Sequence, residues 1–166
     1  MGQQQLLLLV LGIVIVGLAV VGGIQAFSEN QRKAQLDAHT ARAVEVAAEV
    51  GVYYHKPAMF GGNERDADMS APLSLAALGY SPTWARSDGA VSRLDADGTR
   101  LQLSTTNSAR PFILVHPQPI REGDKRVELA VWGPEPDCFA RRVRERTSSG
   151  YTTVSGSVSR PSGCSW

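Results

Sequence analysis

The feature that most constrains this chain is an uninterrupted apolar run near its amino terminus. From Leu6 to Ile24 all 19 residues are aliphatic or glycine, and no charged residue precedes Glu29. As a helix with a rise of about 1.5 Å per residue, such a run spans about 28 Å, close to the thickness of a bilayer core. Lipid or a bundle of like helices supplies the continuous apolar environment that it needs. The run predicts a transmembrane segment or a helix buried in an assembly.

A cleaved secretion signal matches this run poorly. Signal peptides have a positive n-region, a shorter apolar region and a small-residue cleavage site. Here no Lys or Arg precedes the run, and no A-x-A site precedes Glu29. The first positive side chains, Arg32 and Lys33, follow the run, which by the positive-inside tendency would place the rest of the chain in the cytoplasm. Removal of a basic leader ahead of Met1 is the alternative that permits the opposite orientation.

The helical pattern continues beyond the apolar run. A weakly apolar stripe with heptad-like spacing extends to Tyr54, and charged residues occupy the other faces. Pro57 disfavours helix at Lys56, and two glycines follow shortly after. We therefore predict one helix of about 55 residues, apolar over residues 1–28 and amphipathic over residues 29–56. The stripe consists of Leu36, Thr40, Ala43, Ala47, Val50 and Tyr54.

Residues 57–166 have the size of a single domain and carry mostly strand and turn signals. Alternating or continuous apolar patterns predict strands in AVSRL, TRLQLS, FILVH and RVELAVW, with a hairpin turn at DADG. CFARRVRERT and YTTVSGSVS predict a last hairpin, and a short helix is predicted from Pro72 to Leu78. The predicted fold class is α+β, with the amphipathic half of the long helix packed on an antiparallel sheet of four to six strands.

The only two cysteines, Cys138 and Cys164, lie 26 positions apart near the end of the chain. A bridge between them would close the last hairpin and contribute about 3.5 kcal/mol in chain-entropy terms. We interpret them as a disulfide, with two unrelated buried thiols as the alternative. Because disulfides persist in oxidising compartments, this interpretation places the domain outside the cytoplasm. A metal site would need further ligands of the right spacing, which His116 alone does not supply.

The sequence contains no pattern typical of catalysis or cofactor binding. The three histidines stand far apart, and the zinc-protease, serine-hydrolase, P-loop and dinucleotide motifs are all missing. Asp95 and Asp97 resemble the start of a calcium loop, but without a Glu at its twelfth position a hairpin turn is favoured. We expect no enzyme activity, no metal and no cofactor.

A cluster of arginines near the end of the chain could meet a polyanion. Alternate arginines on a strand are more often a solvated face, and the net charge of +1 is not that of a nucleic-acid specialist. We therefore expect no specific nucleic-acid partner. The arginines are Arg141, Arg142, Arg144 and Arg146.

These features together resemble the type IV pilin superfamily, which includes the pseudopilins of type II secretion. The resemblance rests on MGQQQLLLLVLGIVIVGLAVVGGI followed by QAFSENQRKAQLDAHTARAVEVAAEV, with Cys138 and Cys164 closing the last loop. It implies a homopolymeric filament subunit that waits in the inner membrane and is handled by a prepilin peptidase and a pilus assembly machinery. The peptidase would remove a short basic leader and methylate Met1 as the new amino terminus.

Two positions depart from the usual pattern of that superfamily. Gln5 stands where a Glu is usual, and Gly22–Gly23 stand where a Pro is usual. The glycines supply a point where a helix can loosen, and the Gln5 amide can accept a hydrogen bond from a neighbouring amino terminus. Gln5, Leu6, Gly22 and Gly23 are thus the predicted assembly residues. The alternative is a bitopic, membrane-anchored extracytoplasmic protein, such as a minor pseudopilin or secretion component, that binds a partner.

Overall fold

The computed structural model describes residues 2–62, 64, 73, 75–81, 84–85, 91–96, 98–104 and 111–164. It contains one long helix followed by an antiparallel sheet, which confirms the predicted α+β class. The chain divides into two compact units, of which the first ends at Asp37 and the second begins at Ala38. The predicted limits at residues 28 and 56 stay predictions.

Helix α1 extends from Gly2 to His55, as the sequence predicts. Its last turn is closed by the Lys56 N–H, which donates to the carbonyl of Val52. Pro57 then begins a short 3₁₀ helix, Ala58–Phe60. The Gly62 N–H donates back to Pro57, and a Cβ at Gly62 would collide with the Lys56 carbonyl oxygen. The end of the helix therefore depends on a proline that stops it and a glycine that lets the chain turn back.

Residues 2–37 of α1 bury none of their side chains within this structure. The most apolar stretch of the helix is long and apolar enough to cross a membrane, and no part of it is covered by other residues. A helix that is hydrophobic on all sides matches lipid or a bundle of helices better than it matches water.

Residues 38–55 of α1 belong to the second unit and bury one broad face. Ala43, Ala47, Val50 and Tyr54 of the predicted stripe are buried, whereas Leu36 and Thr40 are only partly so. The buried face is wider than the heptad stripe because a helix against a domain needs an apolar face of roughly 100°. The additional buried residues are His39, Val46, Gly51 and Tyr53.

In the described part of the chain, seven strands form a single antiparallel sheet in which every strand pairs with its neighbour in sequence. The two-residue strand β1 is the one beyond the predicted four to six, and it is too short to produce a pattern in the sequence. The strands are β1 Trp84–Ala85, β2 Val91–Leu94, β3 Thr99–Ser104, β4 Phe112–Pro117, β5 Lys125–Val131, β6 Phe139–Thr147 and β7 Gly150–Gly156.

One face of the sheet, called here the inner face, carries the apolar core. Because side chains alternate along a strand, every second residue of the central strands points to this face. These residues are buried together with one face of helix residues 38–55 inside the second unit. The inner-face residues include Leu101, Leu103, Ile113, Val115, Val127, Leu129, Val131 and Val143.

The helix approaches the turn after β5 closely at Gly51. A Cβ placed on Gly51 would lie 3.0 Å from the Pro134 carbonyl oxygen. A contact this short is tighter than Cβ atoms ordinarily make, so a methyl group here would require the helix or the turn to shift by a few tenths of an ångström. Glycine therefore permits the close approach of the helix to the turn at this position.

The hairpin predicted at DADG is present between β2 and β3. The Asp95 N–H donates to Thr99, and the Gly98 N–H donates to Asp95. The helix predicted from Pro72 to Leu78 is not formed in its described part, since residues 75–79 form turns instead. There the Tyr80 N–H donates to Leu75, so the segment closes on itself within one turn; Pro72 lies outside the described residues.

Candidate functional site

Helix α1 presents a continuous apolar surface from Leu6 to Ile24. Its large aliphatic side chains each expose between 50% and 70% of their area. Soluble proteins rarely leave a contiguous apolar patch of such an extent in water, so a patch of this kind marks an interaction with membrane or protein. This surface is the first candidate functional site.

The predicted assembly residues on α1 take ordinary helical positions. Gln5 and Leu6 are exposed, and Gly22 and Gly23 lie inside the uninterrupted helix. No atom beyond the neighbouring helical backbone lies within 4 Å of a Cβ placed on either glycine. The two glycines are thus helical here, and no close packing within one chain requires them. Met1 lies outside the described residues.

The disulfide predicted between Cys138 and Cys164 is present, with 5.4 Å between the two Cα atoms. It attaches the carboxyl-terminal segment to the start of β6. The Trp132 indole N–H donates to the Val158 carbonyl oxygen at 3.2 Å, and the Arg160 guanidinium donates to the Cys164 carbonyl. Among the described contacts, the disulfide and the Trp132 hydrogen bond therefore join the segment after β7 to the rest of the domain, and the Arg160 hydrogen bond lies within that segment.

A charged network lies on the opposite, outer face of the sheet. Glu128 on β5 is buried, with 1% of its side chain exposed, and its carboxylate contacts three arginines. Arg142, its cross-strand partner on β6, donates through Nε at 2.8 Å. Arg126 and Arg144 contact the other carboxylate oxygen. Because Glu128 alternates with inner-face residues, the register of β5 and β6 brings these groups together.

Tyr151 on β7 extends this network. The Arg126 guanidinium stacks over its ring at 3.8 Å from the centroid, and Arg144 and Arg146 flank the ring at 5.7 and 5.2 Å. Stacking on an aromatic face stabilises a cation that is partly removed from water. We call Arg126, Arg142, Arg144 and Arg146 the arginine cluster. Among the described residues, Glu128 is the one carboxylate that contacts the cluster, and it contacts three of the four arginines, so positive charge is in excess there.

The sequence singled out the arginines of β6 but missed Arg126 and the buried Glu128. Arg126, Arg142 and Arg144 expose only 18%, 28% and 28% of their side chains. They are thus partly buried in a network, in contrast to the solvated face that alternation alone suggests. A lone Glu within the apolar run RVELAVW is the signal that could have indicated the network.

His116 lies on β4 beside this network, opposite Arg100 on β3. Burial, together with the repelling charges of Arg100 and Arg126, lowers the pKa of the His116 imidazole below its usual value. Its Nδ1 lies 2.9 Å from the Pro117 carbonyl oxygen and donates to it. The imidazole is therefore neutral at physiological pH and adds no charge to the outer face.

A second set of charges surrounds Tyr80 near the start of the sheet. Arg42 and Arg93 lie over its ring, and Arg93 also donates to Asp95 at 2.7 Å. Burial, with the Glu49 carboxylate nearby, raises the pKa of the Tyr80 hydroxyl. Asp95, which the calcium alternative would use as a ligand, is thus occupied by arginine. Across the described part of the chain, no group of three or more potential metal ligands occurs.

An open groove of about 580 Å³ separates the end of helix α1 from the turn between β5 and β6. Its lining is mainly apolar and includes Val52 and Phe139. The turn presents two exposed carboxylates, Glu135 and Asp137, which we call the acidic corner. A short 3₁₀ helix, Pro136–Cys138, and the disulfide at Cys138 fix the position of this corner.

Comparisons of the chain with protein-family models, curated protein sequences and solved structures found no match. The described residues contain one membrane-compatible amino-terminal helix, an antiparallel sheet and a disulfide. This combination is compatible with a pilin-like fold.

Proposed function

We propose that this chain is the structural subunit of an extracellular, type IV pilus-like filament. The subunit waits in the inner membrane and polymerises through residues 6–24 of helix α1. One observation carries the proposal: the aliphatic side chains of these residues are half or more exposed, and nothing in the described part of the chain covers them. Lipid covers them before assembly, and the helices of neighbouring copies cover them in the filament.

The disulfide supports the extracellular half of this proposal. Disulfides form and persist in oxidising compartments, and the bond between Cys138 and Cys164 lies in the second unit. The role is structural, and the partners are copies of the same chain together with a prepilin peptidase and an assembly machinery.

Gln5 is proposed to set the register between copies. In an apolar bundle, a buried amino-terminal charge without a partner would be strongly unfavourable. The Gln5 amide oxygen accepts a hydrogen bond from the amino terminus of a neighbouring copy, with Gln3 and Gln4 beside it. Gln5→Leu should then impair assembly, while Gln5→Glu, which supplies a carboxylate, should be tolerated.

The experiment is electron microscopy of filaments sheared from cells that express the full chain, with mass spectrometry of their subunit. Filaments composed of this chain, reduced by Gln5→Leu at an equal expression level, support the proposal. A chain that stays in the membrane fraction and forms no filaments would instead support the bitopic anchor. Filaments unchanged by Gln5→Leu would refute the role of Gln5 alone.

A further inference from the structure

The arginine cluster carries more positive charge than the described carboxylate that contacts it can neutralise. Arg126 and Arg144 are direct cross-strand partners, and like charges in such positions repel each other. Glu128 is the one carboxylate that contacts the cluster among the described residues. Arg146 forms no ion pair with any described residue and contacts the Tyr151 ring. An additional anionic group bound beside these arginines would therefore reduce the repulsion between them.

The acidic corner has the opposite property. Glu135 and Asp137 are exposed, and neither forms an ion pair with a described residue. Pro136 and the disulfide at Cys138 restrict the corner, so it loses little conformational freedom when it meets a partner. The corner thus presents two carboxylates in a fixed arrangement.

The two charged features occupy opposite ends of the same pair of strands. The acidic corner joins the end of β5 to the start of β6, whereas Arg126, Arg144 and Arg146 lie toward the other end. Val131 follows Arg126 by five positions in β5, which corresponds to about 17 Å at about 3.3 Å per residue. Within one copy these charges lie too far apart to pair.

We propose that the acidic corner of one copy docks on the arginine cluster of the next copy in the filament. This inference rests on the proposed function and names the contact between neighbouring sheet domains. A contact between two different patches is heterologous, and repetition of such a contact produces an open polymer instead of a closed dimer. Complementary charges fix the register of the contact and exclude the wrong pairing of two basic or two acidic ends.

The test reverses each charge patch separately in the full chain. The corner variant carries Glu135→Lys with Asp137→Lys, and the cluster variant carries Arg144→Glu with Arg146→Glu. Because each variant then joins like charges at every contact, we expect the yield of sheared filaments to fall about tenfold or more for each variant alone. Co-expression of the two variants should restore filaments, since the reversed corner matches the reversed cluster and the unchanged patches match each other.

One control tests whether the effect is specific to the two patches, and another tests whether the variants fold. Glu122→Lys makes the same charge reversal at an exposed residue outside the corner and beside the cluster, where added positive charge opposes no docking carboxylate, so it should not lower the filament yield. Subunit abundance and the disulfide are checked in the membrane fraction by non-reducing gel electrophoresis. Should the double cluster variant be degraded, Arg146→Glu replaces it, because Arg146 does not contact Glu128 in the structure.

Restoration by co-expression, after loss in each variant alone, supports the contact. Wild-type filament yield from the corner variant would overturn it. A mixture of two stable variants that stays without filaments would also overturn it, and would point to an external polyanion as the occupant of the cluster. Absence of filaments from the wild-type chain would refute the proposed function itself, and the inference with it.

Discussion

Helix α1 passes through two very different surroundings. Between residues 2 and 37 none of its side chains is buried, whereas between residues 38 and 55 eight are buried. The first stretch is the more hydrophobic, whereas the second places its apolar residues on one face of the helix, which packs against the sheet domain. Hydrophobicity alone therefore does not decide which side chains of α1 are buried within one copy of the chain. A helix packs on its own domain where its apolar residues form one face, and it needs lipid or other copies where they surround it.

Deletion of residues 1–28 should produce the largest effect and tests the comparison directly. The remaining chain keeps the whole buried face of α1, so we expect a soluble, folded monomer that forms no filaments and leaves the membrane fraction. Fractionation, size-exclusion chromatography and electron microscopy measure this outcome. Filaments from the shortened chain would show that the apolar stretch does not drive assembly.

Within the packed region, Glu128→Gln should produce the largest loss of stability. It leaves three partly buried arginines without their shared carboxylate, and removal of one partner from a buried ion pair destabilises a protein by about 4 kcal/mol. Urea unfolding of the chain lacking residues 1–28 measures the loss. Glu122→Gln, at an exposed acid, is the matched control and should change the free energy of unfolding by less than about 0.5 kcal/mol. Equal effects of the two substitutions would contradict a role for Glu128 in the network.

Replacement of both Cys138 and Cys164 by Ser should lower the free energy of unfolding by about 3.5 kcal/mol. The bond constrains the unfolded chain across a sequence separation of 26 residues. Urea unfolding of the oxidised wild type, the reduced wild type and the double variant separates the bond from the side chains. Reduced wild type and double variant should agree, and an oxidised wild type no more stable than either would argue against a stabilising bond.

Two Gly→Ala substitutions test the exposed stretch and the packed stretch of α1 separately. At Gly51 a Cβ would lie 3.0 Å from the Pro134 carbonyl oxygen, so Gly51→Ala should destabilise the domain by about 1 to 2 kcal/mol. At Gly23 nothing lies within 4 Å, so Gly23→Ala should favour the helix by up to about 1 kcal/mol. Urea unfolding measures the first, and circular dichroism of the full chain in micelles measures the second. If the two substitutions change stability in the same direction, the different packing of the two stretches of α1 does not determine their effects.

The smallest expected effect is the pH dependence that His116 contributes. Its pKa in the folded domain lies below the usual value of 6.5, so near and below that pH the unfolded state binds more protons. The contribution of His116 to stability is therefore present above pH 6.5 and is lost as the pH falls through the folded pKa. His116→Gln should flatten the pH dependence of urea unfolding. A slope unchanged by His116→Gln would refute this assignment.

Much of the fold could be predicted because its determinants are local. The end of α1 depends on Pro57, the β2–β3 turn depends on DADG, and the alternation in RVELAVW indicates a strand. Two cysteines leave one possible pairing, so the disulfide could be predicted too. By contrast, the turns at residues 75–79 replace a predicted helix, because a Pro and a Gly mark the ends of a segment without fixing its length.

The arginine cluster could not be predicted in the same way. Arg126 and Arg142 are 16 positions apart in sequence and contact the same carboxylate only through the register of β5 and β6. Sequence periodicity shows which residues share a face of one strand, but not which residues of two strands stand opposite each other. The buried face of α1 illustrates the same limit, since His39 and Val46 become part of it through the domain they meet.

The strand order has a consequence for how this chain is made. Since each of the seven strands pairs only with the strand before and after it, every pairing joins segments that are close in sequence. Folding rates rise as the contacts of a protein become more local, so the sheet can grow strand by strand in the order in which the chain leaves a ribosome or a translocation channel. The pairing of β6 with β7 and the bond to Cys164 come last in that order. Oxidation of the two thiols would then stabilise a sheet whose strands have already paired. Folding kinetics should accordingly show strand pairing before disulfide formation.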